Sequence, residues 1–300
     1  LEQAAAETSF EVVEQKDGLW KQAAAAAQEL GCRILGFEGK DVSFDTFQAI
    51  RKFLPAFHEE NFISLVLEPL REIKDAEEIA CLKKAAEISD LAFDDVLNFL
   101  RPGISEHSVA ARLEAFMREH GSERPAFTTI VASGVRGSLP HGTASEKLLV
   151  AGEFVTMDYG AVYQGYHSDI TRTLVLGEAS EKQKELYHAV LQAQKLGVQR
   201  LRVGASGKEV DRAVRDCLMK DGYAEYFGHG LGHSVGLEIH EEPRLSPKSK
   251  AERLEEGMVI TVEPGVYLPG WGGLRIEDTV LLEKRGGVPL TKAAKHLIEL

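Results

Sequence analysis

Cysteine pairs, long apolar runs and positive charge are all scarce in this sequence of 300 residues. Its three cysteines, Cys32, Cys81 and Cys217, stand far apart, so we expect free thiols in a reducing compartment such as the cytoplasm and not a disulfide scaffold. No apolar run reaches the roughly 18 residues that a membrane-spanning helix needs. The net charge of −12 argues against nucleic acids and anionic membrane surfaces as partners.

The remaining composition is that of a globular enzyme. Apolar residues make up 44% of the chain and charged residues 27%, and the length allows one or two domains with a sizeable core. Residues 1–70 predict a small α/β unit without a recognisable catalytic motif, and we expect it to be only part of a domain that begins before Leu1. Its predicted strands lie at 10–13, 33–37 and 61–67, and its helices at 18–30 and 43–54.

Residues 71–300 predict a second domain in which pairs of helices alternate with strand hairpins. The order helix, helix, hairpin occurs twice, which suggests an internal duplication. Strands are predicted at 127–132, 148–159, 167–176, 258–263 and 274–284. Each helix start is marked by an N-capping residue, in three cases followed three positions later by Glu or Gln: Asp75 with Glu78, Ser105, Ser180 with Gln183, and Ser206 with Glu209.

The first informative stretch is the predicted hairpin at 157–173, MDYGAVYQGYHSDITRT. A turn centred between Tyr163 and Gln164 would place Asp158 directly opposite Asp169 on one face. Opposed like charges destabilise a sheet, and a shared divalent cation is the simplest compensation because hard cations bind carboxylate oxygens. Judged from these two residues alone, two solvated acids on an exposed hairpin are as good an explanation as a metal site. A one-residue bulge in the hairpin would also break the pairing of Asp158 with Asp169.

The second informative stretch, at 227–242, is FGHGLGHSVGLEIHEE. Its four glycines exclude a regular helix and let the backbone approach a ligand closely, while His229, His233 and His240 can point at that ligand. Imidazole serves as a metal ligand, a proton shuttle or a hydrogen-bond donor. A lone histidine is more often structural, whereas three within twelve positions favour a binding or catalytic site.

The third stretch, VITVEPGVYLPGWGGLRIED at 259–278, predicts a strand that ends at Glu263, a long Pro- and Gly-rich loop, and a return strand through Arg275 and Glu277. An unpaired carboxylate is costly to bury. Either both glutamates belong to a site, or both lie on a solvated face where Arg275 pairs with one of them.

Together the three stretches supply four carboxylates and one imidazole, which is the ligand set of a two-metal hydrolytic centre. Four carboxylates balance the charge of two divalent cations, and Arg275 adds a positive charge nearby. One nitrogen among oxygen ligands favours Mn(II) or another hard ion over structural zinc. The predicted ligands are Asp158, Asp169, His233, Glu263 and Glu277.

These motifs resemble the pita-bread metallopeptidases, in particular the branch with Xaa-Pro dipeptidase (prolidase) and Xaa-Pro aminopeptidase (aminopeptidase P). MDYG, SDITRT, GHGLGHSVGLEIHE, VEPGVY and RIED are similar to motifs of that branch and follow in the same order, and LPHGTAS adds His141. Over residues 71–300 the resemblance implies an α+β fold, with a curved, mainly antiparallel sheet covered by four helices. Over 1–70 it is weaker and implies part of a small creatinase-type α/β domain.

The resemblance also implies a role for each predicted ligand. Asp158 would bind one metal through both carboxylate oxygens, and Asp169 and Glu277 would bridge two metals. His233 and Glu263 would complete the ligand set, and Glu263 would also handle the proton of the attacking water.

Further roles follow from the same resemblance. His141, His229 and His240 match the family's substrate-binding and proton-shuttling histidines, and Arg275 and Thr171 would orient the bridging carboxylates. The implied cofactors are two divalent ions, with Mn(II) expected and Co(II) or Zn(II) as alternatives. The implied partners are a proline-containing peptide as substrate and a second copy of the chain in a homodimer.

The function expected from these implications is hydrolysis of Xaa-Pro bonds at the N-terminus of a peptide. A methionine aminopeptidase on the same fold would lack most of the first domain, and a creatinase would not retain all five ligands. A non-catalytic binding module would have lost ligands or histidines. Because the family's N-terminal domain is normally longer than the 70 residues here, the closure of the pocket and the geometry of the dimer stay open.

Overall fold

A computed structural model describes residues 1–300, which divide into two units, Leu1–Leu67 and Glu68–Leu300. In the first unit a small core of Ala24, Ile50 and Leu54 lies beside two parallel strands. The strand predicted at 10–13 is wrong, because these residues pair with no neighbouring strand and form no regular element. The elements of this unit are α1 (Glu2–Glu7), α2 (Leu19–Glu29), β1 (Leu35–Glu38), α3 (Phe44–Phe53) and β2 (Phe62–Leu65). Its assignment to a creatinase-type domain stays a prediction.

The second unit contains the four long helices that the caps predict, preceded by one short helix. Their bounds are α4 (Glu68–Glu72), α5 (Ala76–Phe99), α6 (Glu106–Glu119), α7 (Glu181–Arg200) and α8 (Gly207–Lys220). The capping boxes at the starts of α5 and α7 are confirmed. The box predicted for Ser206 is wrong, because the backbone N–H of Glu209 donates to the backbone carbonyl of Ser206 (3.0 Å) and not to its hydroxyl. None of the helices combines the length and the apolar character that crossing a membrane requires.

The strands of this unit confirm the mainly antiparallel sheet. One sheet has the order β3-β4-β7, a second has the order β14-β13-β10-β8-β9, and every neighbouring pair in them is antiparallel. Two short pairs, β5-β6 and β11-β12, complete the set. The bounds are β3 (Ile130–Ser133), β4 (Phe154–Tyr159), β5 (Val162–Tyr163), β6 (Tyr166–His167), β7 (Ile170–Val175), β8 (Gly232–Ser234), β9 (Glu241–Leu245), β10 (Val259–Val262), β11 (Gly265–Leu268), β12 (Gly272–Arg275), β13 (Asp278–Glu283) and β14 (Gly286–Pro289).

Each half of the unit has its own apolar core. In the first half, α5 and α6 bury Phe93, Val109 and Leu113 with Met157 and Leu174 of β4 and β7. In the second, the core consists mainly of residues from α7, α8, β10 and β13, among them Leu186, Val190, Val214, Ile260 and Val280. Full burial of one such side chain contributes roughly 1.5–3 kcal/mol, so the helices hold the two hairpins firmly in place.

The turn of the first hairpin lies one residue later than predicted. Gln164 (φ 48°) and Gly165 (φ 81°) both adopt left-handed backbone, which suits a two-residue turn between the paired strands β5 and β6. Asp158 consequently lies opposite Thr171, and its predicted direct opposition to Asp169 is wrong. Because Asp169 and Thr171 are two positions apart, the strand geometry still directs both toward one face.

The second hairpin repeats this architecture. Val262 pairs with Asp278, and Gly265 pairs with Arg275, so β10-β13 and β11-β12 share one register that is interrupted at 263–264 and 276–277. The first hairpin is interrupted in the same way at 160–161 and 168–169. The long loop predicted after Glu263 is therefore wrong: it contains β11 and β12, whose buried Val266 lies opposite Leu274.

Candidate metal centre

The predicted metal ligands lie at or near the points where the register of the two hairpins is interrupted, and on the neighbouring strand β8. Asp158 is the penultimate residue of β4, and His233 is the middle residue of β8. Glu263 follows β10 directly, whereas Asp169 and Glu277 directly precede β7 and β13. All five residues lie in paired strands or directly beside them, so the sheets fix the backbone from which each side chain extends.

The structure brings all five side chains together. One carboxylate oxygen from each of Asp158, Asp169 and Glu277 lies within 4.8 Å of the other two. The Nε2 atom of His233 lies 3.5 Å from Oδ2 of Asp169 and 3.5 Å from Oε1 of Glu263. These separations are those of groups that can bind a common ion or a pair of ions.

One arginine compensates part of the negative charge. The Nη2 group of Arg275 donates to Oδ2 of Asp158, and its Nε group donates to Oγ1 of Thr171 at 3.0 Å. The Thr171 hydroxyl in turn donates to Oε2 of Glu277 at 2.6 Å. The other oxygen of Asp158, Oδ1, is buried and has no hydrogen-bond partner. A buried acceptor of this kind is rare unless it binds a group such as a metal ion.

Burial makes the acidic cluster hard to ionise without a cation. Burial, and then repulsion from Glu277 and Asp158, raises the pKa of Asp169 well above its ordinary range. Burial, and then repulsion from Glu263, has the same effect on the pKa of Glu277, and burial raises the pKa of Glu263 to about 8. With four carboxyl groups and one imidazole close together, the five residues fit divalent cations, which would stabilise the ionised form of the carboxyl groups.

A cavity of about 540 Å³ opens over these ligands. Its wall combines apolar side chains with imidazole and guanidinium groups, so it offers both an apolar surface and polar anchors to a small ligand. Besides the ligands and Arg275, its lining includes Phe127, Ile130, His141, His229, Ile239, His240 and Arg244.

The three further histidines of the cavity differ in what their ring nitrogens contact. His141 and His240 are exposed, and their ring nitrogens have no hydrogen-bond partner in the protein. In His229, Nδ1 lies 2.8 Å from the carbonyl oxygen of Gly230, and Nε2 lies 2.9 Å from the hydroxyl of Tyr267. Both nitrogens of His229 are therefore engaged within the protein.

The direction of the hydrogen bonds at His229 follows from its partners. A carbonyl only accepts, so Nδ1 carries the hydrogen. Burial lowers the pKa of His229 to about 4, so the ring is neutral at pH 7 and its Nε2 accepts the hydroxyl hydrogen of Tyr267. The oxygen of Tyr267 accepts from Nη1 of Arg275 at 2.7 Å. A continuous chain of hydrogen bonds thus connects Asp158, through Arg275 and Tyr267, with His229.

The family assignment now follows, because residues 80–284 match the model of metallopeptidase family M24. The chain belongs to metallopeptidase family M24. The resemblance found in the sequence and the pita-bread fold are both confirmed by this match and by full-length similarity to solved structures.

Relatives of this M24 peptidase cover most of the chain. The Xaa-Pro dipeptidase of Pyrococcus horikoshii is 49% identical over 233 residues, which are 78% of this chain and 66% of that protein. The uncharacterized peptidase YqhT of Bacillus subtilis is 44% identical over 293 residues, 97% of this chain and 82% of YqhT. The structure of Xaa-Pro dipeptidase from Bacillus anthracis superposes with a TM-score of 0.93 at 46% identity, covering 100% of this chain and 84% of that one. The structure of X-Pro aminopeptidase from Thermotoga maritima superposes with a TM-score of 0.94 at 39% identity. This match covers 99% of this chain and 84% of that chain.

Sequence reasoning missed several residues of this site in the M24 peptidase. Tyr267 lies four positions after Glu263 in the motif VEPGVY, but its segment was predicted as a loop, so no direction could be assigned to its side chain. The Pro- and Gly-rich stretch would have been recognised as a hairpin from the alternation of Val266 and Leu268. Phe127 and Ile239 carry no polar chemistry, and only the fold places them at the cavity.

Proposed function

We propose that this M24 peptidase hydrolyses the bond between the first residue and a following proline at the N-terminus of a peptide. The observation that carries the proposal is the convergence of four buried or nearly buried carboxylates and one imidazole, with one oxygen of Asp158 left without a partner. The names of the relatives support the proline specificity, since two of the relatives described above are named Xaa-Pro dipeptidase and one is named X-Pro aminopeptidase.

The cofactors that we propose are two divalent ions. Mn(II) is expected because oxygen ligands predominate, with Co(II) or Zn(II) as alternatives. When bound, such ions polarise a carbonyl group and lower the pKa of a water molecule. Arg275 and Thr171 hold the carboxylates of Asp158 and Glu277 in a fixed orientation. The ligands would be Asp158, Asp169, His233, Glu263 and Glu277.

Proline imposes a specific demand on the chemistry. An Xaa-Pro bond is a tertiary amide without an N–H, and its nitrogen must receive a proton as the bond breaks. Glu263 borders the cavity and can accept the proton of the attacking water. The ring of His240 lies with its centroid 4.4 Å from that of His233, and its free nitrogens can deliver a proton to the leaving nitrogen.

The remaining cavity residues have binding and positioning roles in this proposal. His141, with free ring nitrogens, can donate a hydrogen bond to a substrate carbonyl. His229 acts indirectly, since Tyr267 connects it with Arg275. The free amine of the substrate can pair with Asp158, which would restrict cleavage to the first residue. We also propose a homodimer on the basis of the family resemblance, and light scattering at micromolar concentration would test it.

The proposal is tested by comparing substrates after the protein has been depleted of metal and reloaded with Mn(II). We expect release of the first residue from Xaa-Pro dipeptides or from longer Xaa-Pro peptides, and comparison of the two lengths tells dipeptidase from aminopeptidase. Removal of N-terminal methionine from peptides without proline, with Xaa-Pro peptides intact, would instead indicate a methionine aminopeptidase. Binding of metal and peptide without hydrolysis of either substrate would indicate a non-catalytic binding module on the same fold.

A further inference from the structure

Lys74 forms a buried ion pair that the proposed chemistry does not use. It lies between α4 and α5, and its side chain is only 1% exposed. Its Nζ group lies 3.0 Å from Oε2 of Glu241, whose side chain is 7% exposed, and donates to Oγ of Ser234 at 3.2 Å. The ammonium group therefore contacts two different strands, β8 through Ser234 and β9 through Glu241.

The two partners of Lys74 are chain neighbours of the two histidines that face each other in the cavity. Ser234 directly follows His233, and Glu241 directly follows His240. Ser234 and Glu241 are also opposite each other in the β8-β9 pair, where the register shifts between His233 and Ser234. One ammonium group thus joins β8 and β9 at the point from which both imidazoles enter the cavity.

Glu241 extends this connection into the segment that carries His240. Its second oxygen, Oε1, accepts the backbone N–H of Glu238 at 3.1 Å, and the N–H of Gly236 donates to the carbonyl of Glu238 at 3.0 Å. Since no hydrogen bond holds the imidazole of His240 itself, its position depends on this backbone. The carboxylate that fixes the backbone depends in turn on Lys74.

No neighbouring cation can replace Lys74 in this arrangement. Arg71 approaches Glu238 only to 4.0 Å, and the side chain of Arg244, which is 53% exposed, pairs with Glu242 at 3.4 Å. A buried ion pair contributes little net stability compared with apolar residues of the same size, so the effect of this pair is expected in the local conformation.

We propose that Lys74 is a positioning residue, which sets the distance of His240 from His233 through its contacts with Glu241 and Ser234. The proposal rests on the proposed function only for the role of His240 in catalysis. A displacement of about 1 Å at a catalytic group can lower a rate by about 100-fold, so loss of Lys74 should lower kcat without abolishing the binding of substrate.

The test uses the double variant Lys74→Met/Glu241→Gln, because Lys74→Met alone would leave a buried charge unpaired and endanger folding. The amide of the second substitution keeps an acceptor for the N–H of Glu238. The control is Lys147→Met/Glu153→Gln, a partly exposed pair in which Lys147 also joins a serine hydroxyl (Ser133, 2.9 Å) to a glutamate (2.6 Å). None of these three residues lines the cavity.

Two measurements distinguish positioning from a merely structural role. Hydrogen exchange of the amides at 235–241 should be at least about 10-fold faster in the double variant than in the control variant, in the metal-free as well as the Mn(II)-loaded protein. With an Xaa-Pro dipeptide, kcat should fall roughly 10- to 100-fold while KM changes by less than about twofold. When His240→Ala is added to the double variant, it should lower kcat by less than about fivefold. The same substitution in the otherwise unchanged protein should lower kcat by about 100-fold.

Three outcomes decide the proposal. Unchanged exchange at 235–241 in a folded double variant would overturn it, and so would a full additional effect of His240→Ala. Equal losses of kcat in the double variant and in the Lys147 control would also overturn it, because an ion pair that does not contact the segment with His240 would then have the same effect. If the unchanged protein cleaves no Xaa-Pro peptide, the proposed function fails, but the exchange comparison still decides whether Lys74 positions the segment with His240.

Discussion

Asp169 and Glu277 occupy equivalent positions in the two hairpins, since each directly precedes the second strand of its pair at the interruption of the register. The equivalence extends to two threonines that cross between the hairpins. Oγ1 of Thr171 donates to Glu277, and Oγ1 of Thr279 donates to the backbone carbonyl of Asp169 at 2.8 Å. Each hairpin therefore orients the acidic residue of the other, which suits the bridging role that we propose for both.

Asp169→Asn should have opposite effects on activity and on stability. It replaces a buried carboxyl group, whose ionisation is disfavoured by burial and by the neighbouring acids, with a neutral amide, so the metal-free protein should become more stable at pH 8. It also removes a proposed bridging ligand, so bound metal and hydrolysis should fall by more than about 100-fold. Thermal unfolding, elemental analysis and a peptide assay measure the three effects. Asp94→Asn, an exposed substitution on α5, is the control, and full activity of Asp169→Asn would contradict the two-metal proposal.

The stability of the metal-free protein should fall as the pH rises from 6.5 to 8. Burial raises the folded-state pKa of Glu263 to about 8 and raises the pKa values of Asp169 and Glu277 well above the ordinary range, so the folded protein binds more protons at these groups than the unfolded chain does. The contribution of these carboxyl groups to the free energy of unfolding is fully present below their pKa in the unfolded chain and is lost as the pH rises through their pKa in the folded protein. Each group can lower the free energy of unfolding by up to about 1.4 kcal/mol per pH unit.

Histidines oppose this trend only weakly in the chosen window. The pKa values of His229 and His233 are lowered to about 4 and about 3, mainly by burial, so both rings are neutral in the folded protein throughout it. Because about half of the unfolded imidazoles are still protonated at pH 6.5, each of these histidines adds about 0.4 kcal/mol of stability between pH 6.5 and 8, which is less than the raised carboxyl groups remove. Urea midpoints at pH 6.5, 7 and 8 test the prediction. A midpoint that rises with pH in the absence of metal would show that the acidic cluster is not protonated.

His240→Ala and His229→Ala should separate catalysis from stability. His240 is exposed and unbonded, so its removal should lower kcat by about 100-fold or more and change the free energy of unfolding by less than about 0.5 kcal/mol. Removal of His229 leaves the buried hydroxyl of Tyr267 without its acceptor and should destabilise the protein by about 1–3 kcal/mol. Urea unfolding and steady-state kinetics measure both effects. If kcat falls in His229→Ala but not in His240→Ala, the imidazole that transfers the proton is that of His229 and not that of His240.

Sequence patterns were sufficient for the features that depend on local chemistry. Helix α5 begins after Asp75, and α7 begins after Ser180, because a capping side chain acts on backbone groups within three residues. The five predicted ligands also come together, since motif order and residue type single them out. Their metal-binding roles stay predictions that the variants above test.

Three features of the structure were not predicted from these patterns. The turn residues are Gln164 and Gly165, whereas the prediction placed Tyr163 and Gln164 in the turn and therefore gave the wrong partner for Asp158. The Pro and Gly content of the segment with β11 and β12 favoured a loop, and the alternation of Val266 and Leu268 that indicates a hairpin was not used in the prediction. Lys74 is separated from Glu241 by 167 positions, and no local signal connects a lysine before a helix with a glutamate after a histidine.

Gly232 gives a last test, because it directly precedes His233 in a strand that lies very close to its neighbour. A Cβ atom at Gly232 would lie 1.9 Å from the backbone oxygen of Thr261, so Gly232→Ala must displace β8 or β10 and with it the ring of His233. We expect a loss of about 1–3 kcal/mol in unfolding free energy and a weaker Mn(II) affinity by titration calorimetry. Gly228→Ala is the matched control in the same glycine-rich segment, since no atom lies within 4 Å of its added Cβ, and it should be neutral or stabilise by up to about 1 kcal/mol. Equal stability and equal Mn(II) affinity of the two variants would contradict the close approach of β8 to β10 that orients His233.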